Sequence, residues 1–231
     1  MATFILVPGA GGSAWYWHRV LPLLVEAGHE AVSVDLPASD DSAGLDDYAA
    51  VIGSFADGRD DVVIVAQSMG VLSAPLVCRD GAAELLVLVC PMIPRPGETG
   101  GEWWKESGQV EAERDYARRL GLPLDGELDP FVTFLHDVPA EVAAASADHN
   151  PPQSGRPFAD PWPLDRWPEV ETRVIAGRDD RLFPLEFMQR LSRERLGIEP
   201  DVIDGGHLLA LARPDELAAT LLEYLGEVGL H

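Results

Sequence analysis

Lysine is almost missing from this sequence. Among 231 residues there is one, Lys105, beside sixteen arginines, and against 39 aspartates and glutamates the formal net charge is −22. So acidic a chain repels phosphate, which excludes nucleic acid and anionic membrane surfaces as partners. Cysteine is scarce too. Cys78 and Cys90 lack a Cys-x-x-Cys spacing, so a disulfide framework and a thiolate zinc site are excluded and two buried free thiols are expected. No apolar run approaches the roughly 18 residues that a membrane span requires. No two histidines have metal-ligand spacing, so neither a metal nor any other cofactor is expected. The opening residues, Met1-Ala2-Thr3-Phe4-Ile5-Leu6-Val7-Pro8, have no basic region and only a short apolar run, and the reading is a cytoplasmic protein without a signal peptide.

What is present is an alternation. Hydrophobic residues make up 46% of a chain whose length suits a single domain, residues 1–231. Apolar runs at Thr3–Val7, Ala31–Leu36, Val62–Ala66, Leu85–Cys90, Thr172–Ala176 and Pro200–Ile203 read as strands. Helical spacing follows most of them: over Ala14–Ala27 with Ser13 as cap, at Leu45, Tyr48, Ala49, Ile52 and Phe55, over Met69–Asp80, over Leu185–Arg195, and from Pro214 onward. The run Val62–Ala66 is apolar at every position, as a strand covered on both faces must be. The expected fold class is therefore α/β, about six mostly parallel strands flanked by helices. Residues 92–167 break the rhythm with many prolines and with Trp103, Trp104, Trp162 and Trp167. They read as a lid inserted into a core of residues 1–91 and 168–231, with helices near Val110–Leu120 and Ala140–Ala147.

Three short motifs carry chemistry. Ala66-Gln67-Ser68-Met69-Gly70 joins the third strand to its helix; small residues flank Ser68, as a nucleophile held on a sharp turn demands. Asp179-Asp180 follows the fifth strand, and Gly205-Gly206-His207 follows the sixth. All three fall at C-terminal ends of parallel strands, the edge where such sheets bind ligands. A serine attacking a carbonyl needs a base, an acid to orient that base, and two N–H donors for the oxyanion. His207 is the candidate base, and the Met69 backbone is one candidate donor. Spacing alone leaves Asp179, Asp180 and Asp204 open as the acid. Gly9-Ala10-Gly11-Gly12 after the first strand lacks both the Gly-Lys-Ser/Thr ending of a P-loop and the GxGxxG spacing, so no nucleotide is expected there.

The whole arrangement resembles the α/β-hydrolase superfamily. Phe4-Ile5-Leu6-Val7-Pro8-Gly9-Ala10, Trp15-Tyr16-Trp17, Gly28-His29 and Val34-Asp35-Leu36-Pro37 are similar to the branch of small plant methylesterases and hydroxynitrile lyases. The resemblance is weakest across residues 92–167. It implies a serine nucleophile, a histidine base and an acidic partner, and selects Asp180, four residues before Pro184. It also implies that Ala10 supplies the second oxyanion amide, with Pro8 standing where relatives commonly have histidine. The lyases typically carry lysine directly after the histidine and threonine in the oxyanion loop. Here Leu208 and Gly9 occupy those places, so departing cyanide would have no cation and lyase activity is not expected.

The implied activity is hydrolysis of a small-molecule carboxylic ester through an acyl-enzyme. A thioesterase, a carbon–carbon hydrolase, or a non-catalytic ligand-binding member of the fold are the alternatives. Candidate pocket residues are Trp15, Met92, Ile93, Trp104, His136 and Leu208; of the tryptophans at 15, 17, 103 and 104, one or two are expected to touch substrate. His136 and His149 read as loop histidines of the lid, with His136 set apart by its neighbours Phe131, Phe134 and Leu135. His18 and His29 read as ordinary polar residues near the first helix, and His231 as a terminal one.

Overall fold

Strand β1 (Thr3–Val7) sits inside a six-stranded sheet and pairs on both sides. The others are β2 (Glu30–Ser33), β3 (Val62–Gln67), β4 (Leu85–Val89), β5 (Glu171–Gly177) and β6 (Asp201–Ile203). All pairings are parallel, in the order β2-β1-β3-β4-β5-β6. The computed structural model describes residues 1–123 and 129–230; residues 124–128 of the predicted lid and the terminal His231 lie outside them.

Alternation along the strands builds two cores. Ile5, Val7, Ile64, Ala66, Leu86 and Leu88 face one side, and Phe4, Leu6, Val63, Val65, Val87 and Val89 the other. Each buried aliphatic side chain contributes roughly 1.5–3 kcal/mol. In chain order the described helices are α1 (Leu21–Glu26), α2 (Leu45–Ala56), α3 (Ala74–Val77), α4 (Gly100–Glu106), α5 (Gln109–Leu120) and α6 (Pro130–Thr133). Then come α7 (Ala140–Ser146), α8 (Arg156–Ala159), α9 (Leu185–Leu196), α10 (Leu209–Ala212) and α11 (Pro214–Val228). Helix α2 covers the first face with α3 and α9, while α1, α10 and α11 cover the second.

Two expected helices are broken. The stretch over Ala14–Ala27 is a 3-10 turn (Ala14–Trp17) followed by α1, and that over Met69–Asp80 is a 3-10 turn (Ser68–Leu72), the short α3, and another turn at Cys78–Asp80. Pro22 and Pro75 explain both. Proline has no N–H for the preceding turn and its ring collides with the carbonyl four residues back, so each is tolerated only in a helix's first turn. Ser13 makes no cap bond; its hydroxyl donates instead to the His149 carbonyl at 2.9 Å.

The chain between β4 and β5 holds α4 to α8. Two fully buried tryptophans fasten it: Trp103 Nε1 donates to the Ile93 carbonyl at 2.9 Å, and Trp162 Nε1 to the Leu72 carbonyl at 3.1 Å. A buried ion pair, Arg195 to Glu98, ties its start to α9.

Candidate active site

The sheet order reverses at β1. Its successor β2 lies on one side and β3 on the other, so the loops leaving β1 and β3 diverge and open a crevice at their C-terminal ends. Val7 is in register with Ala66, Gln67 with Val89, and Gly177 with Ile203, which brings the ends of five strands into one row. Pro8-Gly9-Ala10, Ser68, Asp180 and His207 all leave from that row.

Ser68 has φ +52°, a left-handed backbone that costs a non-glycine residue of the order of 1–3 kcal/mol. The turn is held by its surroundings. The Met92 amide donates to the Ser68 carbonyl at 3.1 Å, and a Cβ on Gly70 would lie 2.5 Å from the Pro8 carbonyl oxygen, so only glycine lets the two loops touch. His207 Nε2 is 3.1 Å from Ser68 Oγ, and His207 Nδ1 is 2.7 Å from Asp180 Oδ2. The other carboxylate oxygen of Asp180 accepts the Leu182 and Phe183 amides at 2.9 and 2.8 Å. Oδ2 is thereby left to accept from Nδ1–H, and Nε2 is free to accept from the serine hydroxyl. Asp180 is fully buried. The rival aspartates are elsewhere: Asp179 is exposed, and Asp204 is paired with Arg178 at the surface.

Cys90 lies against this pair; its sulfur, an Asp180 oxygen and a His207 nitrogen all fall within 4.8 Å of one another. Burial first, then the charge of Asp180, push its thiol well above the ordinary range. Its sulfur is therefore held as the neutral thiol. The facing Nδ1 and Oδ2 atoms are hydrogen-bonded at 2.7 Å, leaving no gap between them for an ion.

Ser68 and His207 open into a cavity of about 610 Å³. Ala10, Met69, Trp15, Met92, Trp104 and Leu208 line it. Two nominated pocket residues do not. Ile93 is fully buried in the core, where its carbonyl accepts from Trp103 and Arg195. His136 lies against Gly206 in the His207 loop, while Phe134 and Leu135 just before it line the cavity. Trp17 and Trp103 are core residues. His149 is exposed, as a histidine of the lid surface would be, and it also stacks on Trp15 with centroids 4.8 Å apart and lines the cavity. Among the described residues the lining carries no Lys, Arg, Asp or Glu.

The insertion does more than wall the cavity. Gln153 Oε1 accepts the Gly11 amide at 3.0 Å, next to Ala10 in the loop after β1. Gln109 Nε2, on α5, donates to the Leu182 carbonyl at 2.7 Å in the Asp180 loop. Asp137 Oδ2 accepts the Gly206 amide at 2.8 Å in the His207 loop. None of these three was nominated from sequence, because a lone polar residue carries no signal of a distant partner.

His136 carries a pH prediction. Burial above all lowers its pKa, with Arg181 adding to the effect and Asp137, Asp180 and Asp179 opposing it. The folded protein therefore favours the neutral ring. That stability is present above the unfolded value of about 6.5 and is lost as pH falls through the lower folded value. Denaturant melts between about pH 7 and pH 5 should show His136→Gln losing less stability than the wild type; an equal loss would remove His136 from the acid response.

Comparison with known proteins agrees with this geometry. Residues 4–220 match the alpha/beta hydrolase family. Methylesterase 7 of Arabidopsis thaliana is 40% identical, with 95% of each chain covered. The solved structure of polyneuridine aldehyde esterase has a TM-score of 0.79 at 21% identity, covering 97% of this chain and 99% of the other. That of a methylesterase from Arabidopsis has a TM-score of 0.75 at 21% identity, covering 98% and 100%. The chain belongs to the alpha/beta hydrolase family, in its small esterase-type branch, and is a hydrolase. Among the described residues no helix is long and apolar enough to cross a membrane.

Proposed function

We propose that this hydrolase cleaves the carboxylic ester of an uncharged, largely apolar small molecule through an acyl-enzyme on Ser68. The observation that carries the reading is the chain Ser68–His207–Asp180, at 3.1 and 2.7 Å, opening on a cavity lined by aromatic and aliphatic side chains. His207 Nε2 takes the Ser68 proton as Oγ bonds to the ester carbonyl carbon. The amides of Ala10 and Met69 hold the resulting oxyanion, and Asp180 stabilises the imidazolium. Collapse expels the alcohol, which takes the proton from His207. Water, deprotonated by the same histidine, then attacks the acyl carbon, releases the acid and returns Ser68 to its resting form.

Three further observations favour ester hydrolysis over cyanohydrin cleavage. No cation lines the cavity among the described residues, and Leu208 follows the histidine. A side chain at Gly9 would put its Cβ 2.2 Å from Gln67 Oε1 and 2.9 Å from Ser68 Cβ, so a threonine there would have to push on the nucleophile turn itself. The relatives named methylesterase support the ester class. The proposal includes a lid of residues 92–167 on a core of 1–91 and 168–231, and a cytoplasmic setting, which two buried cysteines that remain thiols support.

The test is turnover of a panel of neutral aryl esters and matched thioesters, with labelling by a fluorophosphonate and mapping of the adduct. Ester hydrolysis with the label on Ser68 is expected. An enzyme inert to esters and unlabelled at Ser68 would overturn the proposal, and a preference for thioesters would move it to the thioesterase class.

A further inference from the structure

The His207 loop is intrinsically loose. Gly205 and Gly206 precede the histidine, and outside contacts must hold it. Asp179 N–H donates to the Gly205 carbonyl at 2.9 Å, and Gln67 Nε2 donates to the His207 carbonyl at a long 3.4 Å. The Gly206 peptide, directly before His207, takes its partner from across the molecule: Asp137, between α6 and α7 in the insertion. Its side chain is only 13% exposed, and the nearest cation, Arg213 Nη1, is 3.9 Å from Oδ2. The fit is tight. A Cβ on Gly206 would lie 2.8 Å from both Asp137 Oδ1 and His136 Nε2, so glycine is what lets the carboxylate reach the backbone.

This contact is costly. Asp137 Oδ1 is buried and has no hydrogen-bond partner among the described residues, and the same holds for His136 Nε2. A buried acceptor left unmatched costs about 1–3 kcal/mol, more when charged. An apolar side chain would wall the loop without that penalty, but could not bind the Gly206 N–H. What Asp137 supplies is a fixed acceptor, and the atoms it fixes are one peptide away from the imidazole.

We propose that Asp137 is a positioning residue: by anchoring the Gly206 amide it sets the distance and angle of the His207 ring to Ser68. The inference rests on the reading of Ser68, His207 and Asp180 as the reacting group. Small displacements of a base cost rate steeply, up to about a hundredfold for an ångström. Asp137→Ala should therefore lower kcat for ester hydrolysis by about tenfold or more with KM changed less than twofold. Asp137→Asn keeps an oxygen at the same reach and should restore kcat to within about twofold of wild type.

A purely structural brace would alter melting temperature but leave the Nδ1 proton of His207 where it is. Proton NMR should instead show that downfield resonance shifted or broadened in Asp137→Ala and restored in Asp137→Asn. Should the alanine variant not fold, Asp137→Glu takes its place, because its longer arm displaces the acceptor while keeping the charge; reduced kcat is expected there, against wild-type kcat in Asp137→Asn. Wild-type kcat in the alanine or glutamate variant, or failure of asparagine to restore it, overturns the proposal. Fluorophosphonate labelling separates the two claims. A wild-type protein unlabelled at Ser68 defeats the reading of the site itself; a labelled wild type with equal labelling rate in Asp137→Ala defeats only the role of Asp137.

Discussion

Ser68→Ala is expected to lower kcat for ester hydrolysis by about a millionfold and to abolish covalent labelling by a fluorophosphonate. The loss is chemical, because the substitution deletes the one atom that bonds to the acyl carbon and disturbs little else. Alanine keeps a Cβ at a position with φ +52°, so the turn retains both its shape and its strain. The Met92 amide still finds the carbonyl of residue 68, since that bond is to backbone. His207 loses a partner at Nε2 but keeps Asp180 at Nδ1. The apolar cavity is intact, so a non-hydrolysable ester analogue should bind the variant within about threefold of the wild type, because binding and bond-making reside in different atoms. Steady-state turnover and calorimetric binding measure the two separately. A variant that hydrolyses aryl esters within about a hundredfold of wild type would mean that Ser68 is not the nucleophile.

Asp180→Asn should reduce kcat by about ten thousandfold near neutral pH while leaving the fold in place. Oδ1 of Asp180 accepts two backbone amides, from Leu182 and Phe183. An asparagine must present its own oxygen to those amides, because its NH2 group cannot accept. The NH2 then faces His207 Nδ1 across 2.7 Å and donates to it. The proton of the neutral ring moves to Nε2, which becomes a donor toward Ser68 and can no longer take the hydroxyl proton. Loss of rate thus follows from the wrong tautomer, not from collapse of the loop. Kinetics together with a melting curve close to wild type would establish this; activity within tenfold of wild type would sink it.

The strands were legible because a buried parallel strand is written as a short continuous apolar run, and the runs starting at Val62 and Leu85 are too short and too evenly apolar to suit an amphipathic helix. The order of chemistry-bearing loops followed from the strands, since each loop begins where a run ends. Helix continuity was less legible. Apolar spacing over Ala14–Ala27 and Met69–Asp80 passes straight through Pro22 and Pro75, and the local rule against interior proline outweighs periodicity. Helix α4 had a readable start in Thr99-x-x-Glu102, where each residue bonds the other's backbone. Helices α6, α8 and α10, four residues each like α3, are too short to show a period.

Ser68, His207 and Asp180 could be nominated because each sits at a strand end, a place defined by local pattern. The contacts of Gln109, Asp137, His149 and Gln153 could not. They join residues 69 to 142 positions apart, and nothing local marks such partners. His136 and His149 illustrate the difference: two histidines in one insertion, of which one stacks at the cavity mouth and the other faces the back of a loop.

Gln109, Asp137 and Gln153 belong to the segment that shapes the cavity, yet each hydrogen-bonds a different loop leaving the sheet. If Asp137 positions His207 as proposed, specificity and turnover are not separate modules in this molecule. A chimera that borrows residues 92–167 from a relative for the sake of a new pocket also replaces three backbone anchors. Those three positions must be carried across with the graft, or the recipient acquires a new substrate shape and loses reaction rate.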